Sequence, residues 1–197
     1  MIEGRESQIR LQCWWGRGIL LASILALILG LALNVSAQVF LKPQEAIEKL
    51  MPEAETHVTD SKEPTPEIKK RLEEALGRRV EEKKYIFIIG MKQGKPTAYA
   101  VILNEIGKER PITFMIVVNP DGRVRVVEVL VYRESQGSEI RDPRFMRQFE
   151  GKTVQSQLRA GHDIDVITGA TLSSRSTAYA VKKALALVDL FYGIRVP

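Results

Sequence analysis

The residues with the most chemical content form one run, Asp165-Val166-Ile167-Thr168-Gly169-Ala170-Thr171-Leu172-Ser173-Ser174. An acid and two apolar residues precede a Thr-Gly-Ala-Thr turn, and a helical pattern begins immediately afterwards. Gly169 permits a backbone with φ > 0 or a close approach to a ligand. Ala170 leaves room above the turn, and Thr168 and Thr171 supply hydroxyls. The first turn of a helix carries amides with no intrahelical acceptor and the positive end of the helix dipole, so it holds a phosphate well. Thr171, at the helix mouth, is placed to carry a phosphate ester, with Thr168 as a turn or phosphate contact. Asp165 is available to a metal ion or a neighbouring hydroxyl while such a bond is made. Taken alone, the same tetrapeptide also reads as an ordinary capped turn.

Other chemistries find little support. His57 and His162 lie far apart without a ligand-spaced partner, which argues against a zinc site. Ser135-Gln136-Gly137-Ser138 lacks the strand–nucleophile–helix setting of a hydrolase elbow. Cys13 is the only cysteine and precedes the long apolar segment, so the part that follows has no thiol for a disulfide, an iron–sulfur cluster or haem attachment. No catalytic side chain and no resident metal are expected. The net charge is +5, but Lys and Arg are interleaved with Asp and Glu, which argues against nucleic acid. Arg141, Arg144, Arg147, Lys152 and Arg159 form a basic neighbourhood, read as a solvated face or as a dock for an acidic partner or lipid headgroup.

The elements that must position the turn are read from periodicity. Gln44 to Met51 is a short amphipathic stretch, and Pro52 to Pro66 reads as a loop or linker. Thr65-Pro66-Glu67 opens a helix that ends at Gly77. Tyr85–Ile89, Thr97–Leu103, Thr113–Val118 and Val124–Tyr132 are strand-like, joined by turns at Gln93-Gly94-Lys95 and Asn119-Pro120-Asp121-Gly122. Asp142-Pro143 suits the start of a short helix, and Val166-Ile167 is expected to return to the sheet. A final helix over about 172–191 ends at Gly193. The fold class is α+β, a mainly antiparallel sheet with packed helices, preceded by one N-terminal transmembrane helix or signal segment.

No charge occurs between Arg17 and Lys42, and residues 18–33 are almost wholly apolar. With its flanks the stretch is long enough to cross a bilayer, and Arg5, Arg10 and Arg17 before it place the N-terminus in the cytoplasm. The expected organisation is a cytoplasmic tail at 1–17, an anchor at 18–41, a helical linker region at 42–84 and a domain at 85–197. Val35-Ser36-Ala37 also has the small-x-small form of a signal peptidase site, so cleavage near residue 37 stays open. Both readings put the folded domain outside the cytoplasm, on the periplasmic side of the cell membrane.

Asp165, Thr168, Gly169, Ala170 and Thr171 match every defined position of Asp-x-x-Ser/Thr-Gly-Ala-Thr, and Ser173-Ser174 agree with the hydroxyl pair that follows it. The chain thereby resembles the FMN-binding subunits of the Rnf complex and of the sodium-translocating NADH:quinone oxidoreductase. Glu134 and Gly137 fit that family's Glu-Thr-Pro-Gly loop beside the flavin, although Ser135-Gln136 replaces Thr-Pro, and Phe149-Glu150-Gly151-Lys152 resembles its Phe-x-Gly-Lys segment. The resemblance covers roughly Thr97 to Tyr192 and implies covalent FMN on Thr171, with Thr168, Gly169, Ala170, Leu172, Ser173, Asp165, Glu134 and Gly137 around it. It further implies electron transfer with a quinone, a cytochrome or an iron–sulfur protein, and maturation by an FMN transferase. A non-catalytic scaffold domain and a stand-alone extracytoplasmic flavin reductase are the alternatives.

Overall fold

The computed structural model describes residues 37–194. Its strands are β1 (Gln38–Val39), β2 (Thr56–Lys62), β3 (Tyr85–Lys92), β4 (Lys95–Ile106), β5 (Pro111–Val118) and β6 (Val124–Tyr132). The helices are α1 (Pro43–Leu50), α2 (Pro66–Leu76), α3 (Pro143–Arg147) and α4 (Thr171–Tyr192). The strands make one sheet in the order β1-β6-β5-β4-β3-β2, antiparallel at every pairing. The expected α+β class is thus what the described residues form.

Strand alternation explains the layers. Ile112, Phe114, Ile116 and Val118 of β5 point to the face covered by α2 and α4. Met115 and Val117 point to the opposite face with Ala98, Ala100 and Leu130, where α1 lays Ala46 and Leu50. β3 and β4 join through Gln93-Gly94, whose φ values of 49° and 74° suit a tight hairpin between antiparallel strands. α2 begins as expected: the Thr65 hydroxyl accepts from the Ile68 amide at 3.2 Å, Pro66 is the first helical residue, and Gly77 closes the helix at φ 69°.

Two expectations need correction. The segment between Pro52 and Pro66 is not a linker throughout, because Thr56–Lys62 is β2, the outer strand beside β3. Its side chains are mostly exposed and polar, so it shows no apolar alternation and satisfies its backbone through β3 alone. Val166-Ile167 does not join the sheet either; Ile167 begins a turn, and the nearest pairing is an isolated bridge between Ala160 and Ile164. At the other edge, Gln38 pairs with Tyr132, so the sheet begins before the expected end of the apolar segment at Leu41. The remainder of that segment and the tail at 1–17 lie outside the described residues. No helix among the described residues is long and apolar enough to cross a membrane.

α4 is held to the sheet by small residues and one buried ion pair. Ala180 and Ala184 let it approach closely. Lys183, with 3% of its side chain exposed, reaches Glu105 on β4 at 2.9 Å and also contacts Glu82. Arg78 adds a 2.6 Å contact to the second Glu105 oxygen and lies over the Tyr179 ring at 3.2 Å. Burial pushes the Lys183 pKa down, but the Glu82 and Glu105 carboxylates outweigh it and hold the ammonium above its ordinary value. Lys183→Met leaves Glu105 buried without its main cation, so it is expected to lower unfolding free energy by about 3–5 kcal/mol in urea denaturation. A combined Lys183→Met, Glu105→Leu variant is expected to recover most of that loss.

Candidate functional site

The turn before α4 is built by its own backbone. The Ala170 amide donates to the Ile167 carbonyl at 2.9 Å, which places Thr168 and Gly169 at the corner of a β-turn, and Gly169 takes φ 84°. That conformation suits glycine at the third position of such a turn. The Ser174 hydroxyl braces it from below, donating to the Ala170 carbonyl at 2.9 Å and accepting from the Ile167 amide at 3.3 Å. Thr168 and Gly169 are exposed, Ala170 is buried, and nothing stands within 4 Å of the position a Cβ on Gly169 would take.

α4 begins without a side-chain cap: Ala170 is the N-cap residue and Thr171 the first helical one. Among the described residues, the amides of Thr171, Leu172 and Ser173 and the Thr171 hydroxyl have no hydrogen-bond partner. Half-exposed Thr171 thus stands among free amides at the positive end of a 22-residue helix. Such a start fits an oxyanion. Leu172, 45% exposed, gives the same edge an apolar surface.

The loop after β6 meets this helix start from one side. The Tyr132 hydroxyl donates to the Gln136 carbonyl at 2.5 Å and lies 3.0 Å from the Ser173 hydroxyl. Gly137 is buried at φ 90°, and a Cβ there would come within 2.7 Å of Ser173 Oγ and 2.8 Å of the Tyr132 oxygen. Gly137, Ala170 and Ser173 are therefore neighbours, in line with their grouping by resemblance. Ser173 and Ser174 themselves turn inward and brace the site.

Glu134, in the same loop as Gly137, holds a second turn. One of its carboxylate oxygens accepts from the amides of Lys108, Glu109 and Arg110 at 2.5, 2.6 and 2.8 Å, pinning the turn between β4 and β5. Asp165 is exposed, and its amide donates to the Gln148 side chain at 2.7 Å. The expected basic neighbourhood is divided over the surface. Arg141 covers the Phe40 ring at 3.4 Å and, with Arg147, borders a groove beside β6, whereas Arg159 faces α4. Lys152 lies 3.7 Å from Asp163. The Phe149-to-Lys152 segment lies beside the start of β6: the Gly151 amide donates to the Val124 carbonyl, and the Val124 amide donates to the Lys152 carbonyl, both at 2.8 Å. Arg175 stands one helical turn beyond Thr171 and is exposed.

Comparison with known proteins points to the same part of the chain. The sequence model of the FMN-binding domain matches residues 107–186, from the Glu134-pinned turn to well inside α4. The G component of the ion-translocating oxidoreductase complex of Shewanella oneidensis is 30% identical over 188 residues, spanning 85% of this chain and 86% of that one. The chain belongs to the FMN-binding family of that G component. Among solved structures, the C component of the Na(+)-translocating NADH-quinone reductase from Parabacteroides distasonis is similar at 18% identity and a TM-score of 0.44, covering 74% of this chain and 85% of that one. Shewanella oneidensis NqrC is similar at 17% identity and a TM-score of 0.47, covering 79% and 77%.

In this member of the family, Glu134 links the site's surroundings to pH. Partial burial pushes its carboxyl up, but the three amides outweigh that and hold it below the ordinary value. Its contribution is fully present above the ordinary carboxylate pKa and is lost as pH falls through the lowered one. Glu134→Gln is expected to cost about 1–2 kcal/mol at pH 7, since a hydrogen bond to a charged group is worth more than one to a neutral group. The variant and the unmodified protein should converge in stability on acidification, measured by urea denaturation across the acid range. A gap that stays constant to low pH contradicts the role.

Proposed function

We propose that this chain is an electron carrier whose FMN is joined through its phosphate to Thr171, working within a membrane redox complex. The observation that carries the reading is the start of α4: a half-exposed threonine whose hydroxyl has no partner, among free amides, after a turn left open at Gly169. A neutral capped turn has a cap, and this one has none. The family's flavin-binding character and the match of Asp165, Thr168, Gly169, Ala170 and Thr171 to the attachment pattern support the same residue.

Bound FMN supplies the electron chemistry, taking electrons singly or in pairs. The chain's own residues hold and orient it: amides of the first turn hold the phosphate oxygens, while Gly137, Ala170 and Leu172 shape the adjoining surface. The ester forms when the Thr171 oxygen bonds to the flavin-side phosphorus of FAD on an FMN transferase; AMP departs and the hydroxyl proton passes to solvent. A covalent tether suits an exported protein, which has little free FMN from which to refill a site. The apolar segment that begins at residue 18 anchors the chain ahead of β1, or is cleaved near residue 37, with the domain on the extracytoplasmic side. A quinone, a cytochrome or an iron–sulfur subunit exchanges electrons with it.

Co-expression with the transferase is expected to yield a chain heavier by one FMN less one water, with yellow colour that survives denaturation. The flavin-bearing peptide should contain Thr171, and Thr171→Val should remove the label while leaving the fold intact by circular dichroism. A loaded protein whose flavin maps to another residue, or a Thr171→Val variant that keeps it, contradicts the assignment.

A further inference from the structure

A groove of about 490 Å³ lies between α4, the end of α2 and the loop at 157–160. Leu76, Leu158 and Ala178 line it as buried apolar residues, and Arg159, Arg175 and Lys182 border it. Arg159 and Arg175 are exposed, and Lys182 is half-buried. Among the described residues, no carboxylate lines this groove, and the side chains of the three cations have neither an ion pair nor a hydrogen bond. Two other clefts hold both signs of charge. Beside β6, Lys49, Arg141 and Arg147 occur with Glu128 and Glu150. Next to Tyr179, Arg78, Arg79 and Lys183 occur with Glu81, Glu82 and Glu105.

The cations come from two walls. On α4, Arg175 and Lys182 are seven residues apart, so they share one face within about 20° and stand about 10.5 Å apart along the axis. Arg159 comes from the loop, which Asp163 pins by accepting from the Leu158 amide at 3.0 Å and the Arg159 amide at 2.6 Å. Leu158 is kept at φ 50°, a conformation unusual for a leucine and found where surrounding structure imposes it. The nearest side-chain cation to Asp163 is Lys152, at 3.7 Å, so its charge is spent on that lysine and the two amides. Like charges gathered without a counter-charge repel one another, and the groove is electrostatically suited to an anionic occupant. Its apolar floor narrows the choice. A small inorganic ion would use the cations and leave the floor unfilled, whereas a polypeptide brings carboxylates spaced along a chain with apolar groups between them. The planar guanidinium of arginine also matches a carboxylate in two parallel hydrogen bonds.

We propose that this groove docks an acidic segment of a partner polypeptide, its carboxylates paired with Arg159, Arg175 and Lys182 and its small apolar side chains set against Leu76, Leu158 and Ala178. The dock needs no flavin, since none of these residues belongs to the Thr168–Thr171 turn. It complements the carrier reading all the same. Arg175 lies one turn from Thr171, about 6 Å along the axis, so a segment held here sits beside the same end of α4. Exposed ion pairs contribute little each and are screened by salt. Their part is to steer the partner in and fix its orientation, which is the usual effect of charge complementarity at a contact surface.

The test uses the full chain purified in detergent and a dye-labelled peptide of alternating Glu and Ala, followed by fluorescence anisotropy at low ionic strength. The same peptide with Gln in place of Glu is the control. The unmodified protein is expected to bind the Glu peptide and not the Gln peptide, and added salt should weaken the binding. Affinity should fall about ten-fold in an Arg175→Gln, Lys182→Gln double variant and about three-fold in Arg159→Gln, following the number of charges removed. Arg147→Gln, which removes a cation beside β6, should bind like the unmodified protein. If the double variant loses its circular dichroism signal, Arg159→Gln on the other wall decides the question. Absence of binding to the Glu peptide, equal binding of the Gln peptide, or groove variants that bind as tightly as the unmodified protein overturn the dock. Full displacement by inorganic phosphate, or by phosphatidylglycerol added to the micelles, at the peptide's own concentration of charge assigns the groove to a small anion or a lipid headgroup and overturns it too. None of these outcomes depends on flavin loading, so a failed dock leaves the Thr171 attachment standing.

Discussion

Lys183 fixes where α4 lies on the sheet, and the site depends on that placement. A buried ammonium is costly unless it is paired and hydrogen-bonded. Here it is satisfied by Glu105 from β4 and Glu82 from the segment before β3. The pairing allows little sliding, since a shift of one turn would strand charges on both sides. Alanines above and below let the helix settle against β4 and β5, and the Ser176 hydroxyl donates to the Ile106 carbonyl to fix its N-terminal half. The result is a long rigid helix whose first residue emerges at the surface at a set position.

Two carboxylates stiffen the surroundings in similar ways. Glu134 gathers three amides of the β4–β5 turn, and Asp163 gathers the amides of Leu158 and Arg159. Each turns an exposed loop into a defined wall without using apolar burial. Partial burial pushes the Asp163 carboxyl up, but those two amides and the nearby Lys152 charge hold it below its ordinary value. The α4 start, by contrast, leaves its donors free. Thr65 caps α2 and Asp142 caps α3, whereas α4, the longest helix among the described residues, has no side-chain cap.

Much of this was legible in the sequence because it is local. Thr65-Pro66 and Gly77 announce α2, Gly193 ends α4, and the alternation of β5 and β6 marks them as strands. Gly137 could be grouped with Ala170 and Ser173 by resemblance. β2 was hidden because an edge strand of Thr, His, Asp, Ser and Lys shows no apolar alternation. Val166-Ile167 looked like a strand because two apolar residues carry no period at all. The role of Glu134 depends on a turn some 25 residues away, which no local pattern reveals. Lys183 did leave a trace: it falls in register with Ser176, Ala180 and Leu187 on the buried stripe of α4, where a charge calls for a partner.

The fold thus brings a helix start with free amides, a hydroxyl and a basic groove to one edge of an FMN-binding domain, with the phosphate ester at Thr171 as the central claim. Phosphorus NMR of the denatured, flavin-loaded chain tests that claim most directly, because a diester and a monoester titrate differently. A phosphate monoester loses its second proton with a pKa near 6, whereas a diester has no second proton to lose. The account predicts a single phosphorus signal that stays with the chain and does not move between pH 5 and 8. A signal that titrates near pH 6, or that leaves with small molecules on denaturation, contradicts it.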